Sequence, residues 1–204
     1  MILTLLGSED PFGDYEKLKA EDTPSIRRED LPDEFSDEAF RTVDEFIRKT
    51  KNLEFECVMY FDYVTGEILK FAFGEIDNVK LSFEDDEFED NYVASIHNHP
   101  SIVYSPPSGK NFGILLRDFE DYELVVGPNE LWVLKAKGIC PLLNVDLKYS
   151  SLMILDSCQE YSRKKYSGPK TNDICDIMYG IMLSNYINDK NIHNIQLTKK
   201  EYRS

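Results

Sequence analysis

Residues 54 to 73 set two strand-like runs on either side of Asp62-Tyr63-Val64-Thr65-Gly66, and no other stretch constrains the fold as much. Phe55, Cys57, Met59 and Phe61 share one parity, while Glu54, Glu56, Val58 and Tyr60 share the other. A period of two puts these sets on opposite faces of a strand. Asp62 to Gly66 reads as a turn and Glu67 to Phe73 as the return strand, so an antiparallel hairpin organises this part of the chain. Tyr92 to His97 is a second apolar run, read as a buried strand, and Tyr122 to Val126 with Leu131 to Lys137 reads as another hairpin around Gly127-Pro128-Asn129-Glu130.

Helical periodicity lies outside these strands. Ser36 is a candidate N-cap, with Asp37 and Glu38 placed where the helix dipole favours acids. Ala39, Phe40, Val43, Phe46 and Ile47 then form one apolar stripe, which predicts an amphipathic helix over 37–49. The same reasoning predicts helices over 109–119, 147–165 and 172–188. Residues 8–35 are acidic and punctuated by proline, and the expectation for them is an irregular arm. The chain is therefore parsed as an irregular acidic N-terminal arm over 1–35, a central domain over 36–140 and a helical C-terminal extension over 141–204. The run Phe83 to Asn91 is read as a solvated loop or short helix, since it lacks the ligand spacing of a calcium loop.

A hydrophobic content of 42% is enough for a core, which argues against a disordered chain. The net charge of −15 disfavours nucleic acid and anionic membranes as partners, because phosphates would be repelled. Cys57, Cys140, Cys158 and Cys175 are widely spaced, so reduced buried thiols are expected rather than a zinc knuckle or a disulfide framework. Met1 to Leu6 is too short for a signal sequence and no apolar run reaches membrane-spanning length. The expectation is a cytoplasmic protein.

The chemistry concentrates at His97-Asn98-His99-Pro100. Two histidines one residue apart on a strand point to the same face and can converge on one metal ion. Seven residues separate Pro100 from Ser108, and two separate Ser108 from Asn111. Ser108 also fits a helix N-cap, with Asn111 at its N3 position. No nucleophile–base arrangement of a serine or cysteine hydrolase is visible, and no Walker pattern supports nucleotide binding.

The run from His97 through His99, Pro100 and Ser108 resembles the signature of the JAB/MPN (JAMM) metallopeptidase family, with its RadC-type and phage- or toxin-associated branches. It departs at Asn111, where that family has an aspartate as third metal ligand. The resemblance covers roughly residues 50–138. It implies an α+β fold, a mixed, curved β-sheet flanked by helices as in cytidine-deaminase-like proteins, to which the C-terminal helices read from the apolar pattern are additional. It further implies zinc held by His97 and His99, with Asn111 or a water completing the set, a general base upstream and Ser108 at the oxyanion. Glu56 and Glu54 share a strand parity, so alternation does not choose between them. The spacing of Glu56 to Asp62 and Gly66 is similar to the phage- and toxin-type pattern, whereas that of Glu54 is similar to RadC-type sequences; Glu56 is favoured.

The expected function is zinc-dependent hydrolysis of peptide or isopeptide bonds in a protein or peptide. Asparagine brings no negative charge, so zinc affinity falls relative to an aspartate site, and weak binding and no binding both stay open. The alternative is a catalytically inactive, MPN-like protein-binding module, a pseudoenzyme that can pair as a dimer. A third possibility is that Asp118 or an acid from residues 84–90 supplies the missing charge.

Overall fold

In the computed structural model the described residues are 10–20, 25–74, 79, 88, 90–100, 107, 119–135, 153, 160, 164 and 196–202. They form an α+β arrangement built on one six-stranded sheet, in the order β2-β1-β3-β4-β5-β6. The strands are β1 (Cys57–Asp62), β2 (Ile68–Phe73), β3 (Val93–Asn98), β4 (Glu120–Val126), β5 (Glu130–Lys135) and β6 (Gln196–Glu201). Two helices accompany them, α1 (Pro11–Lys17) and α2 (Asp37–Thr50), with a short 3-10 turn at Arg28–Asp30.

β1 pairs antiparallel with β2 on one side and with β3 on the other. The His99 amide, just past the end of β3, donates to the Val126 carbonyl at the end of β4. The two C-terminal ends thus lie side by side, the parallel arrangement, and the sheet is mixed. Chain contacts divide the protein into two units, one comprising Met1–Ser105, Leu124–Val133 and Lys199–Ser204, the other Pro106–Glu123 and Leu134–Thr198. Strands β1, β2 and β3 lie wholly in the first.

The β1–β2 connection is fixed by Asp62, whose Oδ1 accepts from the amides of Val64 and Thr65, both at 2.8 Å. Its Oδ2 accepts from the Tyr92 amide at 3.0 Å, tying the turn to the entry of β3. Gly66 has φ +77°, a left-handed conformation that costs any residue with a Cβ. A Cβ there would also lie 2.7 Å from the Glu38 backbone at the start of α2, so the turn and the helix meet where only glycine fits.

α2 starts where its sequence predicts: Ser36 Oγ accepts from the Ala39 amide at 3.0 Å. Its stripe of Ala39, Val43, Phe46 and Ile47 is fully buried, while Phe40 is half-buried. The face it covers is the Cys57, Met59 and Phe61 face of β1 and the paired Phe71 and Phe73 of β2. Phe46 packs edge-on against Phe71 at 6.2 Å. On the opposite face, Val58, Tyr60 and Val93 form a smaller cluster with Phe88 and Leu69.

The N-terminal segment differs from the irregular arm expected of it. Asp10 caps α1 by accepting from the Gly13 amide at 2.9 Å. The Tyr15 ring of that helix packs at a tilt against Phe71, centroids 4.6 Å apart, and Lys49 lies 4.1 Å over the Tyr15 ring. Ile26, Leu31 and Phe35 are buried as well, and Asp44 of α2 accepts from the amides of Ser25 and Ile26. Burial pushes the Tyr15 hydroxyl far up, with Glu45 and Glu16 nearby adding to the shift, so it remains protonated. Sparse apolar residues hid this packing, because seven helical residues give too short a period to read.

β6 is a second departure from expectation. Gln196–Glu201 has no alternating pattern, and its place is fixed by backbone pairing and by Lys199, which meets Glu130 at 2.6 Å. A lysine on an edge strand is a common device against unwanted pairing. The helix expected over 109–119 and the one over 172–188 lie outside the described residues, except for Phe119, an exposed bend before β4. Within 147–165, Met153, Glu160 and Lys164 are helical. Among the described residues no helix is long and apolar enough to cross a membrane.

Candidate metal centre

The site grows out of the pairing of β1 with β3. In that register Val58 faces His97 and Met59 faces Ile96. Residues directly opposite in an antiparallel pair share a face. Continuing the register by two residues sets Glu56 opposite His99, with Val58 and His97 as the next pair on that same face. It is the face away from α2. Alternation on two neighbouring strands is therefore enough to bring one carboxylate and two imidazoles together.

The three side chains do converge. Each of Glu56, His97 and His99 offers a ligand atom, and these atoms all lie within 4.8 Å of one another. The imidazoles approach with Nε2 to Nε2 at 3.3 Å and ring centroids 5.1 Å apart. Two nitrogens about 2.0–2.1 Å from a shared tetrahedral zinc are separated by about 3.3–3.4 Å, so the pair already has the span that ion requires. In the absence of a metal the same distance suits one ring N–H donating to the other ring nitrogen. His97 and His99 are each only 6% exposed, and Glu56 is half-buried, so the group opens on its carboxylate side. Two neutral nitrogens and one carboxylate oxygen are a donor set suited to zinc and to other first-row divalent ions.

Glu54, the other candidate base, is exposed and does not belong to this group. Strand parity made the two glutamates equivalent, and the distance along β1 distinguishes them. Glu56 lies two residues beyond Val58, the last residue paired with β3, whereas Glu54 lies four residues beyond it. Ser108 and Asn111 lie outside the described residues. So do Asp118 and most of residues 84–90, apart from Phe88 and Asp90.

A residue the sequence reading passed over completes the site. Asn98, between the two histidines, is 0% exposed. Its Oδ1 accepts from the Cys57 amide at 2.6 Å, and its Nδ2 donates to the Phe55 carbonyl at 2.9 Å. The signal was present in the sequence: a buried strand that carries an amide side chain must satisfy it. Cys57 beside it is no candidate nucleophile. Burial raises its thiol well above the ordinary range, the adjacent Glu56 charge raises it further, and the protonated thiol is inert.

No family model matches the chain, and no curated protein or solved structure is significantly similar to it.

Proposed function

We propose that this chain is a JAB/MPN-like, metal-dependent hydrolase that cleaves peptide or isopeptide bonds. One observation carries the proposal: Glu56, His97 and His99 come within 4.8 Å of one another on a face defined by the β1–β3 register. The resemblance of His97-Asn98-His99-Pro100 and Ser108 to the family signature gives that cluster its reaction class. The mixed α+β sheet is compatible with the fold the resemblance implies.

In this reading His97 and His99 hold zinc through their Nε2 atoms, with Asn111 as the candidate third ligand. The ion, when bound, supplies Lewis-acid polarisation and makes a coordinated water acidic near neutral pH. Glu56 is the general base: its carboxylate takes the proton of the attacking water and returns it to the leaving amine nitrogen. Ser108 donates a hydrogen bond to the oxyanion that develops on the scissile carbonyl. The buried imidazoles keep bulk water off the ligand side, where electrostatic interactions are stronger.

Asn111 favours a second reading, a protein-binding module with little or no metal. Zinc content separates the two. Protein purified without chelator is measured beside His97→Ala and Asn111→Asp, and all three are assayed on peptide and isopeptide substrates. The hydrolase reading predicts near-equimolar zinc and hydrolysis in the wild type, both lost in His97→Ala. Zinc only in Asn111→Asp would favour the binding module, and zinc in none of the three would end the metal-site reading.

A further inference from the structure

We infer that Asn98 is a positioning residue, whose side-chain amide fixes the backbone on both sides of Glu56 and so sets its carboxylate against the His97–His99 pair. This rests on the metal-centre reading above.

The paired register of β1 with β3 runs as far as Val58 and His97, and Glu56 lies two residues beyond it. Backbone torsions at a strand end are set by the hydrogen bonds that hold the flanking peptide groups. The Asn98 side chain takes over the role of the next rung. It accepts from the Cys57 amide at 2.6 Å and donates to the Phe55 carbonyl at 2.9 Å. Those two groups belong to the peptide units on either side of the Glu56 Cα. The Glu56 carbonyl is held from the opposite edge by the Gly74 amide at 2.7 Å. Both peptide planes next to Glu56 are thus tied, and with them φ and ψ of the residue that carries the carboxylate.

The placement within His97-Asn98-His99 makes the device self-consistent. Strand alternation sends the two imidazoles to one face and Asn98 the other way, toward the β1 backbone. A single tripeptide therefore supplies two ligands and also locks the strand that brings the carboxylate to them. Aspartate would lose the donor to Phe55, and serine, threonine or alanine at position 98 would reach at most one of the two backbone groups. An asparagine is the smallest side chain that presents both a donor and an acceptor at this distance.

Zinc affinity is the readout, since a carboxylate within 4.8 Å of both ligand nitrogens stabilises the ion whether it binds it directly or through water. Affinity is measured by competition with a chromophoric chelator for wild type, Glu56→Gln, Asn98→Ser and the Glu56→Gln/Asn98→Ser double variant, with His97→Ala as the no-site control. Residues that orient a metal site typically cost about 10–100-fold in affinity when removed. Each single variant should weaken zinc binding within that span. The double variant should be no weaker than Glu56→Gln within about twofold, because a residue acting only through Glu56 has nothing left to position. If the losses multiply, Asn98 acts on the histidine strand and the inference is overturned. It is overturned equally if Asn98→Ser binds zinc as tightly as the wild type. Wild type indistinguishable from His97→Ala would instead remove the metal centre, and the inference with it. Should Asn98→Ser fail to fold, Asn98→Thr, uncharged and close in volume, takes its place in the cycle.

Discussion

At the scale of single residues, the site was legible in the sequence as far as alternation reaches. His97 and His99 had to share a face, and they do, 3.3 Å apart at Nε2. Glu54 and Glu56 were equivalent by parity, and only the register of β1 on β3 separates them, since pairing between distant segments leaves no local trace. Asn98 went unread for a related reason: its partners, Phe55 and Cys57, are more than forty residues away in sequence. Asp62 illustrates the same blindness, as it was read only as a turn residue. Its burial alone would raise its carboxyl, but the amides of Thr65, Tyr92 and Val64 and the Asn91 side chain outweigh that and hold it below the ordinary range. A depressed folded value means the unfolded chain binds the proton more tightly. The stabilisation from Asp62 is therefore fully present above the ordinary Asp value of about 3.9 and is lost as pH falls through the folded value. Asp62→Asn should lower the melting temperature at neutral pH, and the gap to the wild type should narrow in acid. Thermal denaturation at neutral and acidic pH checks this, and a gap that widens in acid would refute the assignment.

At the scale of elements, the legible parts were those with enough turns or alternations to show a period. The hairpin of β1 and β2 and helix α2 lie within a residue or three of where the pattern set them, because each buries one continuous face. Helix α1 and strand β6 were not readable. The first is two turns long, and the second owes its place to pairing beside β5 and to the Lys199–Glu130 ion pair, neither of which shows as a local pattern. The joint between the β1–β2 turn and α2 gives two tests. Ser36→Ala removes the side chain that accepts from the Ala39 amide and should cost about 1 kcal/mol. Gly66→Ala should cost at least about 1–2 kcal/mol, since φ +77° is left-handed and the new methyl would meet the Glu38 backbone. Chemical denaturation of both variants checks the pair. A Gly66→Ala variant as stable as the wild type would mean the turn has another conformation.

At the scale of the whole chain, composition pointed to a folded chain with a core, whereas the packing of the N-terminal segment needed coordinates. Phe71 shows how much depends on that segment, since Tyr15, Phe46, Phe12 and Phe73 all pack on its ring. Phe71→Ala should destabilise by about 3–5 kcal/mol, a core loss rather than a surface one. Metal should act in the opposite direction. A ligand bound only by the native state stabilises by about 2.7 kcal/mol at a hundredfold excess over its dissociation constant. Zinc should accordingly raise the melting temperature of the wild type and leave that of His97→Ala unchanged. The central claim is that Glu56, His97 and His99 converge on one metal ion. The most direct measurement is anomalous diffraction at the zinc edge from crystals grown with zinc. The account predicts one peak about 2.0–2.1 Å from the Nε2 atoms of His97 and His99, beside the Glu56 carboxylate. A peak elsewhere, or none there with the two imidazoles still hydrogen-bonded to each other, would contradict it.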